Sequence, residues 1–313
     1  MTQTYKTPNP IEKNISIERQ MTPNEWSEAA KTVRQFSSEP AFLELLHTER
    51  ISPTDATTGE YANALSIYAQ DYCDVYGQDG SVEQSELEQV RLIANAPYFL
   101  HVKKEVSFYE HKRSTQGLNK DEREYYRGFK PYMVWYNQAL SDYAYSNPNE
   151  KMSDLNKALI EQSLVAFPRE TGMVEREIKM ATRGGRTEAV ARSLIDLTSI
   201  DYAPGTIEDD LKGGDFIVMH NGNRVKVDIK SSLSSIAHIR GGYDQIEKQQ
   251  ITYAISKDKR SSDKSQHTVV LFPGFTDSDI GDSLSLNLSQ PDIQKRADFV
   301  AKQLNLAFAE LRV

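Results

Sequence analysis

The chain has 313 residues, of which 38% are hydrophobic and 26% are charged, and its formal net charge is −8. The absence of a run of about eighteen apolar residues excludes a transmembrane helix, and the negative charge argues against a protein that coats nucleic acid by bulk electrostatics. The single cysteine, Cys73, excludes an internal disulfide and any multi-cysteine metal cage. Because the first residues also lack the apolar segment of a secretory signal, we expect a cytoplasmic protein with no membrane partner.

The first half of the chain is predicted to be helical. Residues 1–20 are polar, contain prolines and are expected to form a flexible arm. Residues 21–167 are predicted to form a helical domain, since large side chains recur at helical spacing, as in Tyr61, Leu65 and Tyr68. Core packing is the favoured role of these side chains, and base stacking is the alternative. A homodimer contact or a protein partner, if the protein has one, is expected on this helical domain.

A second domain is predicted over residues 168–313. The Gly184-Gly185 pair is expected to end one helix, after which Thr187 caps a new helix that carries Glu188 in its first turn and extends to about residue 200. Strands are predicted at 215–219, 224–230 and 268–272. A helix at about 240–257 is expected between the last two strands, and a final helix begins at Pro291. The order helix, hairpin, helix, strand predicts an α/β (α+β) architecture.

The hairpin carries the most informative pattern of the chain. Asn221-Gly222 between two apolar-rich runs is a strong signal for a two-residue turn. With these residues as the turn, Asp215 lies directly opposite Asp228, and alternate residues from Phe216 onward form an apolar face. The other face then presents Asp215, Asp228 and Lys230 together.

Such a polar face suggests a metal site. Directly opposed residues have Cβ atoms about 5 Å apart, so two opposed carboxylates repel each other and destabilise the sheet. A divalent cation between Asp215 and Asp228 converts this repulsion into coordination, and Mg²⁺ prefers oxygen ligands of this kind. Paired carboxylates, a metal ion and an adjacent lysine are the groups that hydrolysis of a phosphodiester requires. The alternative is a surface hairpin with an incidental Asp–Lys ion pair.

This region resembles the PD-(D/E)xK nuclease superfamily over about residues 175–275. The resemblance rests on an Asp-x-x-Gly-x-Asp element that ends at Asp215, an Asp-x-Lys element that ends at Lys230, and a Gln-x-x-x-Tyr element at Gln249 and Tyr253. Two features depart from the pattern: Gly214 replaces the usual proline, and an aspartate replaces the commoner glutamate at position 228. The resemblance implies a restriction-endonuclease-like core, in which helices flank a central mixed β-sheet.

The resemblance also implies a function and a set of site residues. Asp215, Asp228, the backbone carbonyl of Ile229 and Glu188 are expected to hold Mg²⁺, for which Mn²⁺ can substitute, and Lys230 is expected to orient and activate the attacking water. The expected DNA contacts are Arg183, Arg186, Lys226, Gln249, Tyr253, Lys257, Lys259 and Arg260. The sequence is thus interpreted as that of a metal-dependent DNA endonuclease. The alternative is a catalytically inactive nuclease-fold protein that binds nucleic acid or a protein partner through its helical half.

Overall fold

The structure is a computed structural model that describes residues 26–52, 59–80, 82–211, 214–243, 250–256, 267–286 and 289–311. These ranges are mostly helical and contain a five-stranded mixed sheet, which confirms the predicted α+β class. None of their helices combines the length and the apolar character needed to cross a membrane.

The chain divides into two compact units, with boundaries after residues 139, 152 and 181. Residues 140–152 belong to the second unit with 182–313, whereas 168–181 belong to the first. This division differs from the predicted one after residue 167. The prolines that suggested the predicted boundary mark the ends of helices, and the end of a helix is not the limit of a packed core.

Seven helices occupy the described residues up to 196. They are α1 (Trp26–Phe36), α2 (Pro40–Thr48), α3 (Gly59–Asp79), α4 (Gln84–Thr115), α5 (Lys120–Ser146), α6 (Met152–Ala166) and α7 (Thr171–Asp196). Tyr61, Leu65 and Tyr68 on α3 are buried, which confirms their predicted role in core packing. The ring centroid of Phe36 on α1 lies 5.0 Å from that of Tyr68, in an edge-on contact that favours packing of this kind.

The helix break predicted at Gly184-Gly185 is wrong, because α7 is continuous from Thr171 to Asp196. Thr187 is not a helix cap: its hydroxyl donates to the carbonyl of Arg183, one turn earlier in the same helix, at 2.8 Å. Packing overrides the local preference of glycine, since Gly185 is buried where a larger side chain would not fit.

The sheet lies in the second unit. Its strands are β1 (Tyr202–Pro204), β2 (Phe216–His220), β3 (Asn223–Ile229), β4 (Tyr253–Ser256) and β5 (Thr268–Leu271), in the order β1-β2-β3-β5-β4. Strands β3 and β5 are parallel, and the other neighbours are antiparallel. In the described part of this unit, the helices that follow α7 are α8 (Ile207–Leu211), α9 (Leu233–Arg240), α10 (Asp277–Ile280) and α11 (Gln290–Leu311).

The hairpin formed by β2 and β3 has the predicted turn and register. Asn221 and Gly222 have φ values of 49° and 78°, the positive values that a two-residue type I′ turn requires. Phe216 is opposite Val227, and the ladder ends with His220 opposite Asn223.

The two faces of the sheet are covered by different helices. One face packs against the second half of α7 and against α11, and its buried strand residues include Val218, Val227 and Leu271. The opposite face packs against α9, where Ile236 contacts a small cluster that contains Val270. Successive side chains of a strand point to opposite faces, so each one points either toward α7 and α11 or toward α9.

The helix predicted at about 240–257 is wrong in its described part. Helix α9 begins earlier and ends at Arg240, where Gly241 adopts a left-handed conformation with φ of 86°. Tyr253 lies in strand β4, paired with Leu271 of β5. Gln249 lies outside the described residues, so the structure does not test its predicted helical position.

Candidate functional site

Asp228 and Lys230 come from the end of β3. Asp228 lies between the buried residues Val227 and Ile229, and its side chain therefore points to the opposite face of the sheet. Lys230 points to the same face as Asp228, and its Nζ lies 2.6 Å from Asp228 Oδ1. The Asp228 side chain is 16% exposed and that of Lys230 is 40% exposed, so this ion pair remains accessible from solvent.

Asp215 directly precedes β2 and continues the hairpin register by one residue. Its Oδ2 accepts a 2.5 Å hydrogen bond from the backbone N–H of Ile229. Its backbone carbonyl accepts a second hydrogen bond from the N–H of Gly205, at 2.8 Å. A Cβ atom on Gly205 would lie only 2.4 Å from the carbonyl oxygen of Gly214. The backbone that carries Asp215 is thus fixed by a close approach that only glycine permits.

The glycine that replaces the proline of the nuclease pattern has a specific role in this structure. The backbone N–H of Gly214 donates to the carbonyl of Asp209 at 3.0 Å, which a proline could not do. The departure from the pattern is therefore explained by a local hydrogen bond that holds the segment between α8 and β2.

Asp215 and Asp228 affect each other's protonation. Burial raises the pKa of Asp215 well above its usual range, and the negative charges of Asp228 and Glu188 raise it further. Burial also raises the pKa of Asp228, although Lys230 and a hydrogen bond from the Asp215 side chain oppose this increase. Two carboxyl groups can share a hydrogen bond only when a proton lies between them. The pair thus needs a proton or a cation to offset its repulsion.

Glu188 on α7 belongs to the same group of acids. Burial raises the pKa of its carboxyl to about 8, while the Ser141 hydroxyl and the Arg192 guanidinium oppose the increase. Its negative charge also contributes to the raised pKa of Asp215. Glu188 is thus coupled electrostatically to the predicted carboxylate pair, and the helix that carries it begins far earlier than expected. Metal binding by Glu188 stays a prediction.

A fourth acid, Asp210 on α8, was not among the predicted site residues. Burial and the charge of Asp228 raise its pKa to about 6, and Lys230 opposes this effect. Burial acts to lower the pKa of Lys230, but the neighbouring carboxylates, Asp228 first, outweigh burial and raise it above its ordinary value. Lys230 is therefore a cation among acids. The signal that could have identified Asp210 was its place at the start of the Asp-x-x-Gly-x-Asp element.

The acids suit a hard divalent cation better than any other metal. Within the described ranges, no three or more His, Cys, Asp or Glu side chains are arranged as a ready ligand set for a metal ion. Mg²⁺ does not require such a set, because it usually keeps several waters and binds through one or two carboxylates and a substrate phosphate. The carboxyl groups of Asp215 and Asp228 supply oxygen donors of that kind. The backbone N–H of Ile229 donates to Asp215. Metal binding by the Ile229 carbonyl stays a prediction.

Arg183, Arg186 and Lys226, three of the predicted DNA contacts, have different surroundings. Arg183 is exposed and lies 3.2 Å from Asp277. Arg186 is buried, with its guanidinium 3.0 Å from both Asp277 and the carbonyl of Gly281. Because these internal partners occupy its guanidinium, Arg186 is removed from the candidate DNA contacts. Lys226 stands two residues before Asp228 on the same face of β3 and remains a candidate.

Tyr253 does not face the carboxylate pair. It is buried in the core on the opposite face of the sheet, and its hydroxyl donates to Glu310 at 2.9 Å. The Arg240 guanidinium lies 4.8 Å from the centre of its ring. The predicted DNA contact at Tyr253 is therefore wrong, since the residue is in a strand whose alternation turns it away. The predicted contacts at Gln249, Lys257, Lys259 and Arg260 lie outside the described residues.

Comparisons of the chain with models of known protein families, with curated proteins and with solved structures find no match. Any function has to be inferred from the residues and their geometry.

Proposed function

We propose that the protein is a metal-dependent DNA nuclease with a restriction-endonuclease-like core. The observation that carries the proposal is the grouping of Asp215, Asp228 and Lys230 on one face of the hairpin. The charge of Glu188 acts on Asp215 in the same group. The order of elements supports the same proposal. An acidic helix precedes the hairpin, and a helix and then a strand follow it, as the resemblance to the PD-(D/E)xK superfamily implies.

Each acid has a distinct task in this proposal. Asp215 and Asp228 would hold Mg²⁺, and Glu188 would help to hold the metal ion. When bound, Mg²⁺ supplies positive charge next to the phosphate under attack and stabilises the transition state. The Ile229 N–H keeps the Asp215 carboxylate in place, so little reorganisation is needed when the cation enters.

Lys230 would bind and orient the attacking water or a phosphate oxygen. Its contact with Asp228 fixes the direction of the ammonium group, and its exposed fraction leaves donors free toward solvent. Because the surrounding acids raise its pKa, Lys230 remains protonated near neutral pH. It therefore contributes positive charge and orientation, and it does not accept the proton of the water.

The experiment that tests the proposal incubates the purified protein with linear, circular and single-stranded DNA in the presence of Mg²⁺. Asp228→Asn should abolish cleavage, because it removes one charge from the carboxylate pair. The matched control is Asp298→Asn on α11, which changes an exposed aspartate that bonds only Gln294 in the described ranges. Cleavage that survives Asp228→Asn, or that is absent from the wild-type protein on every substrate, would contradict the proposal.

Thermal unfolding distinguishes a protein that binds a metal ion but does not cleave DNA from one that does neither. If the carboxylate pair binds a cation, Mg²⁺ or Mn²⁺ raises the melting temperature of the wild-type protein and leaves that of Asp215→Asn unchanged. A melting temperature that responds to metal in a protein without cleavage activity would support a nuclease-fold protein that binds nucleic acid or a protein partner.

A further inference from the structure

Strand β3 presents a row of charged side chains on the face that carries the proposed site. Val225 and Val227 point into the apolar core on the other face. The residues that alternate with them form the charged row, which consists of Arg224, Lys226, Asp228 and Lys230. Lys230 continues the row, because its backbone N–H donates to the carbonyl of Leu271 at 2.8 Å and so extends the pairing of β3 with β5. Three of the four side chains are cations, in a chain whose net charge is −8.

The charge of this row changes along the strand. At one end, Asp228 and Lys230 form the ion pair of the proposed site, and Asp215 lies beside them with its carboxyl bonded to the backbone of β3. Toward the turn of the hairpin, the row continues with Lys226 and Arg224. The row thus joins a place for a metal ion to a place for anions.

Lys226 is held by its stem and keeps its charge available. A Cβ atom on Gly214 would lie 3.1 Å from Lys226 Cβ and 3.3 Å from both Cγ and Cδ. The hydrocarbon stem therefore lies against the backbone of Gly214, and the ammonium group extends beyond it. Among the described residues, Lys226 has no acid within ion-pair distance. Gly214, which replaces the proline of the nuclease pattern, thus also makes room for a cation next to the site.

Arg224 is also open to an anion. Its guanidinium is 68% exposed and lies 3.8 Å from Asp209 Oδ2, at the outer limit of an ion pair. The same oxygen accepts hydrogen bonds from Thr206, at 2.8 Å from its hydroxyl and 3.2 Å from its backbone N–H. Because Thr206 already satisfies Asp209, the donors of Arg224 remain available to another partner.

The spacing of the row matches the backbone of a nucleic-acid strand. Alternate residues of a strand are about 6.7 Å apart, because each residue advances the chain by about 3.3–3.4 Å. Each strand of duplex DNA carries one phosphate per about 3.4 Å of axis, and the winding of the backbone places neighbouring phosphates roughly twice that far apart. Cations on alternate residues of β3 can therefore contact consecutive phosphates of one strand.

We propose that Lys226 and Arg224 bind the two phosphates next to the cleaved one, so that a DNA strand runs along β3 from the metal site toward the turn. This inference rests on the proposed function, because Asp228 and Lys230 define the position of the cleaved phosphate. It also narrows the substrate, since the strand must extend far enough on this side of the cleaved bond to carry both phosphates. An acidic protein surface fits less well, because its carboxylates have no fixed repeat.

DNA binding at different salt concentrations tests the inference without cleavage. The full-length protein is titrated into a fluorescein-labelled oligonucleotide in EDTA, and fluorescence anisotropy gives the affinity. Each phosphate contact contributes about 0.9 to the slope of log affinity against log salt for duplex DNA, and about 0.7 for a single strand. Arg224→Gln and Lys226→Gln should each reduce the slope by that amount, and the double variant by about twice as much. Lys226→Arg, which keeps the charge, should retain the wild-type slope.

Lys302→Gln is the matched control, since Lys302 is an exposed lysine on α11, which packs on the opposite face of the sheet. Its salt slope should equal that of the wild type. Unchanged slopes in Arg224→Gln and Lys226→Gln, or an equal reduction in Lys302→Gln, would overturn the inference. Cleavage by the wild-type protein would then leave the proposed function intact. A wild-type protein that neither binds nor cleaves DNA would overturn both.

Neutral phosphate analogues test the order of the two contacts. A methylphosphonate at the first phosphate beyond the cleaved bond should slow cleavage by the wild-type protein in Mg²⁺ and have no further effect in Lys226→Gln. At the second phosphate, the same loss of effect is expected in Arg224→Gln. Additive losses in both variants would show that the strand takes another path and would overturn the inference.

Discussion

The two faces of strand β3 have opposite chemistry, although neighbouring residues of that strand supply both. Val227 points into an apolar layer between the sheet and helices α7 and α11. Asp228, the next residue, points to the other face and joins an ion pair with Lys230. The strand therefore separates the groups that hold the protein together from the groups to which we assign chemistry.

This difference has an energetic consequence. Apolar burial on the Val227 face stabilises the fold by roughly 25 cal/mol for each Å² removed from water. On the other face, burial raises the pKa of Asp215 and of Asp228, which means that folding disfavours their charged forms. Substitutions on the two faces should therefore change different observables.

The largest expected effect is that of Lys230→Ala on cleavage. Loss of the only cation that contacts Asp228 among the described residues should lower the cleavage rate by about 10²- to 10³-fold, as removal of an electrostatic stabiliser does in other enzymes. The rate is measured with saturating Mg²⁺ and plasmid DNA. Lys302→Ala, an exposed lysine on α11, is the control. A Lys230→Ala variant that cleaves as fast as the control would contradict the assignment of catalysis to the face that carries Asp228 and Lys230.

The next largest effect is that of Val227→Ala on stability. Deletion of two buried methyl groups should lower the free energy of unfolding by about 2 kcal/mol, through lost burial and the cavity that remains. The measurement is urea unfolding followed by circular dichroism. Cleavage per folded molecule should stay at the wild-type level, and a large loss of cleavage without a loss of stability would contradict the comparison.

A smaller effect is expected from pH on the metal-free protein. Glu188 has a folded-state pKa of about 8, Asp210 one of about 6, and the pKa of Asp215 is also raised. An acid whose pKa is raised by folding contributes full stability below its unfolded pKa. That contribution is lost as the pH rises through its folded pKa. Metal-free stability should therefore fall as the pH increases from about 5 to above 8.

Asp215→Asn provides the test of this pH dependence. The substitution removes one acid and its repulsion of the others, so the difference in unfolding free energy between low and high pH should shrink by about 1–2 kcal/mol. Urea unfolding in the presence of EDTA at both pH values measures the change. An identical pH dependence in the wild type and in Asp215→Asn would mean that the raised acids do not limit stability.

The hairpin could be predicted from the sequence because its determinants are local. Asn221-Gly222 specifies the turn, and strict alternation specifies which residues face the core, so the positions of Asp215, Asp228 and Lys230 followed. The orientation of Tyr253 could not be predicted in the same way. Its four-residue spacing from Gln249 is compatible with a helix, and only pairing with β5 fixes it as a strand residue.

The role of Gly185 shows a second limit of local patterns. Two adjacent glycines favour a helix end when the sequence is considered alone. The structure uses Gly185 for a contact with Leu140 and Ser141, more than forty residues earlier in the chain. Contacts of that kind depend on which helices meet, and this information is not present in a short window of sequence.

The two-residue turn also determines which changes of length the gene can tolerate. One extra codon between Gly222 and Asp228 would shift every later residue of β3 to the other face, because side-chain direction alternates with a period of two. The aspartate would then enter the apolar layer while a valine took its place on the opposite face. Two extra codons would restore both directions. Natural selection should therefore eliminate insertions of an odd number of residues in this hairpin and retain insertions of an even number.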